Sequence, residues 1–146
     1  MIKICFVCHG NICRSPMAEF VMKDKIKKLN LENNYVITSR ATSYEEIGNG
    51  MHYGTKEILD KNNISYSVHK ATKLEKSDYD KYDYFICMDD NNIKNTLRIF
   101  GNDIMKKVIK LNKNDVKDPW YTGNFIETYE QINEGDRKST RLNSSH

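Results

Sequence analysis

The passage from the first strand into the first helix constrains this chain most. Ile2 to Val7 is an apolar run that reads as a short buried strand, and a helical pattern opened by Pro16 follows only eight residues later. Those eight are Cys8-His9-Gly10-Asn11-Ile12-Cys13-Arg14-Ser15. Further strand-like runs at Tyr35 to Thr38, Tyr82 to Met88 and Lys107 to Leu111 alternate with helical patterns at Met17 to Leu29, Tyr53 to Asn62, Asn92 to Phe100 and Phe125 to Asn133. Strand and helix in alternation predict parallel βαβ units. Mostly apolar strand cores, such as Ile4-Cys5-Phe6-Val7 and Tyr84-Phe85-Ile86-Cys87, predict a sheet covered on both faces. The expected fold is a single three-layer α/β domain with a mainly four-stranded parallel sheet flanked by helices. Ligands of such sheets bind beyond the carboxyl ends of the strands, where Cys8 would lie and where Asp89 could face the same crevice. Residues 65 to 81 are polar and give no clear pattern.

The loop after the first strand has the parts of an oxyanion site. Its amides and the positive end of the helix point at an anion. Arg14 adds a planar charged fork that matches two phosphoryl oxygens, and a thiol in such a field ionises readily. Cys8 is therefore the candidate nucleophile, and His9, Gly10, Asn11, Ile12, Cys13 and Arg14 form the candidate phosphate cradle. Ser15 can donate to the Cys8 sulfur or cap the helix before Pro16. Cys13 either closes a protective disulfide with Cys8 or fills space under the loop. No group of side chains stands at metal-ligand spacing, so neither metal nor cofactor is expected.

Composition narrows the setting. A chain of 146 residues suits one domain with one core. Its formal charge of +3 leaves no footprint for nucleic acid or an acidic membrane. No apolar stretch approaches a membrane span, and Met1 leads directly into a strand. Four cysteines without a disulfide framework suggest a reducing cytoplasm, with Cys5 and Cys87 as inert core thiols. Abundant Lys, Asn and Ile suggest an AT-rich, bacterial genome. Asp136-Arg137-Lys138-Ser139-Thr140-Arg141-Leu142-Asn143-Ser144-Ser145-His146 reads as the translation of a common sequencing-library adapter. The domain is accordingly expected over 1–135 with its last helix cut short, and 136–146 is expected to be non-native. Without those residues the formal charge is +1, 20 basic against 19 acidic groups.

The segment from Val7 through Cys8, Arg14, Ser15, Pro16, Met17 and Ala18 to Glu19 closely resembles the signature of the low-molecular-weight protein tyrosine phosphatases. Asp118-Pro119-Trp120-Tyr121 resembles that family's general-acid loop, and weaker echoes lie at Glu45 to Gly48, His69 to Ala71 and Tyr84 to Asp89. The resemblance implies hydrolysis of phosphotyrosine through a phosphocysteine on Cys8. Arg14 then holds the phosphoryl oxygens and Asp118 protonates the leaving phenol. Asn11 and His69 resemble the residues that brace the loop together with Ser15. Ile12, Trp120 and Tyr121 would wall a slot for a phenyl ring. Tyr44-Glu45-Glu46 departs from family members that place an aromatic further into this stretch.

Three rivals use related folds. A thioredoxin-coupled arsenate reductase needs a relay of further cysteines, and downstream of the loop there is only Cys87. A protein-arginine phosphatase resembles this signature with threonine where Ile12 stands here, and an apolar Ile12 favours a phenyl ring. A phosphocysteine carrier of a sugar-uptake system would not need Arg14 or Asp118. The expected partner is a tyrosine-phosphorylated protein, with a bacterial tyrosine kinase as one candidate, met by a cytoplasmic monomer.

Overall fold

β1 (Ile2–Cys8) sends alternate side chains into two separate cores, and this sets the layering of the molecule. Ile4, Phe6 and Cys8 join Met17, Val21, Leu59 and Ile132 on one side. Cys5 and Val7 join Leu74, Phe85 and Phe100 on the other. The computed structural model describes residues 1–142; the tail expectation falls partly on 143–146, which lie outside the described residues. After β1 come α1 (Arg14–Lys28), β2 (Tyr35–Ala41), α2 (Tyr53–Lys61), β3 (Tyr84–Cys87) and α3 (Asp90–Phe100). β4 (Val108–Lys110), α4 (Pro119–Thr122) and α5 (Phe125–Ser139) complete the chain. All strands pair in parallel in the order β2-β1-β3-β4, with Ile4 opposite both Ile37 and Tyr84.

Several boundaries differ from the sequence expectation. α1 begins at Arg14 rather than after Pro16, so Pro16 is its third residue. Proline fits there because its missing N–H is one of the first four that have no intrahelical partner. Cys13, not Ser15, occupies the cap position, and no side chain caps the helix. β2 extends to Ala41, while β3 and β4 are shorter than their apolar runs. Segment 65–81 contributes a bridge from Lys73 to Ala41 and a 3₁₀ turn at Lys76–Lys81, capped reciprocally by Glu75 and Asp78.

α4 is a four-residue helix that periodicity cannot reveal. Asp118 caps it, Pro119 opens it and Gly123 closes it in the left-handed region. α5 runs across position 135 and buries Thr128, Ile132, Gly135, Asp136 and Ser139 along one face. Gly135 allows close approach, since a Cβ there would overlap Leu111.

Candidate active site

The loop between β1 and α1 folds around one sulfur. The amides of Asn11 and Ser15 donate to Cys8 Sγ at 3.3 and 3.4 Å, and Ser15 Oγ lies 3.0 Å from it. Asn11 Nδ2 donates to Ser15 Oγ at 2.7 Å, which occupies an acceptor position and leaves the hydroxyl proton free for the sulfur. An anionic sulfur accepts from all three groups, so the arrangement suits a thiolate. Asn11 holds the loop in shape with φ of 58°, a conformation that asparagine tolerates better than most residues. Its Oδ1 accepts from the Thr72 amide at 3.0 Å.

The loop carbonyls are held away from the sulfur by groups outside the loop. Thr42 N–H donates to the Cys8 carbonyl at 3.0 Å and Ser43 N–H to that of His9 at 3.1 Å. His69 Nε2 reaches the Asn11 carbonyl at 2.7 Å, so His69 touches the Asn11–Ser15 network through backbone and not through Ser15 itself. His52 N–H donates to the Ile12 carbonyl at 2.9 Å, and Thr55 Oγ1 donates to that of Cys13 at 3.2 Å. A planar trans peptide carries its N–H opposite its C=O. Fixing these carbonyls outward therefore aims the amides of His9, Gly10, Ile12, Cys13 and Arg14 toward the centre.

Arg14 is buried and faces two carboxylates. Nη1 donates to Asp89 Oδ2 at 2.7 Å and to the Val116 carbonyl at 3.1 Å, while Nη2 donates to Asp118 Oδ2 at 3.3 Å. Burial opposes its charge, but Cys8, Asp118 and Asp89 outweigh this and raise its pKa. Asp118 Oδ1 accepts from the Trp120 amide at 3.1 Å, so α4 orients the carboxylate. Burial pushes the Cys13 thiol up to about 12, with help from Cys8 and Asp118. All four cysteines are free and buried.

Around these groups lies a cavity of ≈ 100 Å³ bounded by Cys8, Gly10, Ile12, Asp118, Trp120 and Tyr121, with Glu45 and Glu46 on the rim. The structure thus brings together Cys8, Arg14 and Asp118, although Arg14 and Asp118 stand 104 positions apart in the chain. Ile12 packs against Cys13, Ala71 and Phe125. Trp120 and Tyr121 are exposed beside the cavity, not in the core. His9 turns its ring outward to Glu45 Oε2, 3.1 Å away. Among the described residues no group of three or more His, Cys, Asp or Glu side chains could hold a metal ion.

The pairing of Asp89 with Arg14, and the parts played by His52, Thr55 and Thr72, were missed from the sequence. The position of Asp89 at a strand end had put it at this crevice without naming its partner. A threonine on the inner face of α2 offered no signal.

A sequence model described as low molecular weight phosphotyrosine protein phosphatase matches residues 3–142. The low molecular weight protein-tyrosine-phosphatase YfkJ of Bacillus subtilis is 40% identical over 144 residues, covering 92% of this chain and 91% of the relative. Its counterpart PtpA of Staphylococcus saprophyticus is 38% identical over 138 residues, covering 90% and 87%. The crystal structure of SP-PTP from Streptococcus pyogenes, a low molecular weight protein tyrosine phosphatase, superposes with a TM-score of 0.91 at 41% identity, covering 97% of this chain and 93% of that one.

Proposed function

This chain belongs to the low molecular weight phosphotyrosine protein phosphatase family, and from that premise we propose that it hydrolyses protein phosphotyrosine and small aryl phosphates through a phosphocysteine on Cys8. One observation carries the reading: the Cys8 sulfur, five inward loop amides, Arg14 and Asp118 bound a single cavity.

The amides and Arg14 receive the equatorial oxygens of the phosphoryl group, which sets phosphorus in line with Cys8 Sγ. As those oxygens become the partners of the Arg14 fork, Asp118 Oδ2 is freed to face the bridging oxygen. The sulfur attacks phosphorus, the P–O bond to the phenol breaks, and Asp118 gives its proton to the departing oxygen. Asp118, now a carboxylate, takes a proton from water. That water attacks the phosphocysteine, releasing inorganic phosphate and regenerating the thiolate, with Ser15 donating to the sulfur as it leaves. Asp89 keeps Arg14 aimed, while Asn11 and His69 keep the loop open. No metal or cofactor takes part.

The low pocket wall formed by Ile12, Trp120 and Tyr121 supports a flat ring over a guanidinium group. Cys87, buried against Thr96, is poorly placed for a disulfide relay, which weighs against arsenate reduction. Cys13 shares the loop, and a reversible disulfide with Cys8 would protect the nucleophile. The natural partner is a tyrosine-phosphorylated protein, a bacterial tyrosine kinase among the candidates, and the enzyme acts as a cytoplasmic monomer without nucleic acid or membrane. Among the described residues no helix is long and apolar enough to cross a membrane.

Phosphate release from phosphotyrosine, phosphoarginine and an acyl-free aryl phosphate, alongside arsenate-dependent thiol oxidation, tests the reading. Phosphotyrosine and the aryl phosphate should turn over and Cys8→Ser should abolish both. Turnover of phosphoarginine alone, or activity surviving Cys8→Ser, would contradict it.

A further inference from the structure

A second, larger depression of ≈ 590 Å³ adjoins the phosphate cavity and shares Trp120 with it. Its walls are the start of α2 (Tyr53, Glu57) and the turn from α4 into α5 (Gly123, Ile126). The floor is built closely. Phe125 lies against Gly54, where a Cβ would meet the ring at 2.5 Å. His52 stacks between Tyr53 and Phe125, with ring centroids 4.5 and 5.0 Å away, and meets Trp120 edge-on at 6.0 Å. Yet Tyr53, Trp120 and Ile126 stand 75%, 59% and 58% exposed. These three large side chains form an open apolar strip in the groove, flanked by Glu57, Lys61 and Asn124, and concave sites that pair apolar walls with a few polar groups are where ligands bind.

Its position says what covers it. The strip runs directly into the cavity that takes the phosphorylated ring, so a group lying on it is the neighbour of that ring in the same ligand. Among the described residues its lining carries one ion pair, Glu57 to Lys61 at 3.2 Å, which compensates its own charge. Trp120 belongs to α4, whose first residue is capped by Asp118, so contact on the strip also steadies the element that carries the acid.

We propose that this groove binds an apolar side chain of the substrate polypeptide, within about three residues of the phosphotyrosine, as extended chain spans roughly 3.3–3.6 Å per residue. The proposal rests on the phosphotyrosine reading above and adds a flanking-sequence preference to it. Binding energy gained away from the reacting centre then helps hold the acid in place, so the effect falls on kcat/KM for peptides and not on small aryl phosphates.

The test compares phosphotyrosine peptides that differ only in carrying Leu, Ala or Glu at each flanking position, using the wild-type enzyme, Tyr53→Ala and Ile126→Glu. p-Nitrophenyl phosphate, which has no flanking chain, serves as internal reference. Wild-type enzyme should favour Leu over Ala at one flank by about tenfold in kcat/KM, the scale of discrimination by an apolar pocket. Both variants should lose that preference and keep their rate on p-nitrophenyl phosphate. No flank preference in the wild type, or one that survives both variants, would overturn the proposal, as would an equal loss on peptides and p-nitrophenyl phosphate. A solution dimer broken by Tyr53→Ala would assign the groove to a second copy of the chain instead. Failure of the phosphotyrosine reading looks different: p-nitrophenyl phosphate turns over while every peptide is inert whatever its flank.

Discussion

At the scale of single residues, Asp118 is held in two ways at once. Trp120 N–H fixes Oδ1 and Arg14 fixes Oδ2, so in the proposed reaction phosphate would take the partner of one oxygen and leave the other anchored. A phenol leaving group, with a pKa near 10, gains about 10²–10⁴-fold from protonation in the transition state. Asp118→Ala should therefore slow poor leaving groups far more than good ones across a series of aryl phosphates. An equal loss along the series would remove Asp118 from the acid role. Arg14→Lys should cost more than its conserved charge suggests, because an ammonium cannot contact Asp89 and two phosphoryl oxygens with one rigid fork.

At the scale of elements, α2 acts on the loop through two groups, His52 N–H and Thr55 Oγ1. Thr55→Val keeps the shape of a fully buried residue and removes the side-chain donor to the Cys13 carbonyl, leaving the Met17 N–H on it. It should weaken phosphate or vanadate binding several-fold, with Thr55→Ser restoring it, since a net hydrogen bond is worth about 0.5–1.5 kcal/mol. Unchanged binding in Thr55→Val would show that the loop keeps its shape without the Thr55 hydroxyl.

α5 carries a different lesson. Asp136 lies on its buried face in register with Thr128 and Ile132, and neither carboxylate oxygen has a partner. Burial raises its pKa well above 3.8, with Lys25 opposing. A raised folded pKa means stability that is full below the unfolded value of 3.8 and is lost as pH rises through the folded one. Asp136→Asn should remove that fall, so the two stability curves should diverge by up to ~1.4 kcal/mol per pH unit just above pH 4. Parallel curves would place the carboxylate in water.

At the scale of the whole molecule, the phosphate cavity joins the ends of β1 and β3, the start of α1, and α4. An anion bound there ties these together. Vanadate at a hundred times its Kd should add about 2.7 kcal/mol of stability. For a domain of this size that is roughly 5–10 °C in melting temperature. Cys8→Ser should keep most of that gain, whereas Arg14→Lys should lose much of it. The layered fold was legible because β1 and β3 are apolar on both faces and alternate along the chain with helical patterns. That Cys8, Arg14 and Asp118 meet at one cavity was legible because loop chemistry and motif coincide. The start of α1 was misjudged because Pro16 is compatible with the third helical position as well as the first. α4 was invisible because four residues have no period, and Thr55 because a buried hydroxyl looks like any helix threonine.

The central claim is that phosphoryl passes through the Cys8 sulfur, and trapping the intermediate tests it most directly. Asp118→Ala, incubated with an aryl phosphate of low phenol pKa and quenched rapidly, should form the phosphoenzyme and hydrolyse it slowly. Mass spectrometry of the digested protein should then find a single phosphate on the peptide carrying Cys8, absent when Cys8 is replaced by Ser. Phosphate on another residue, or undiminished turnover in the Cys8→Ser enzyme, would contradict the account.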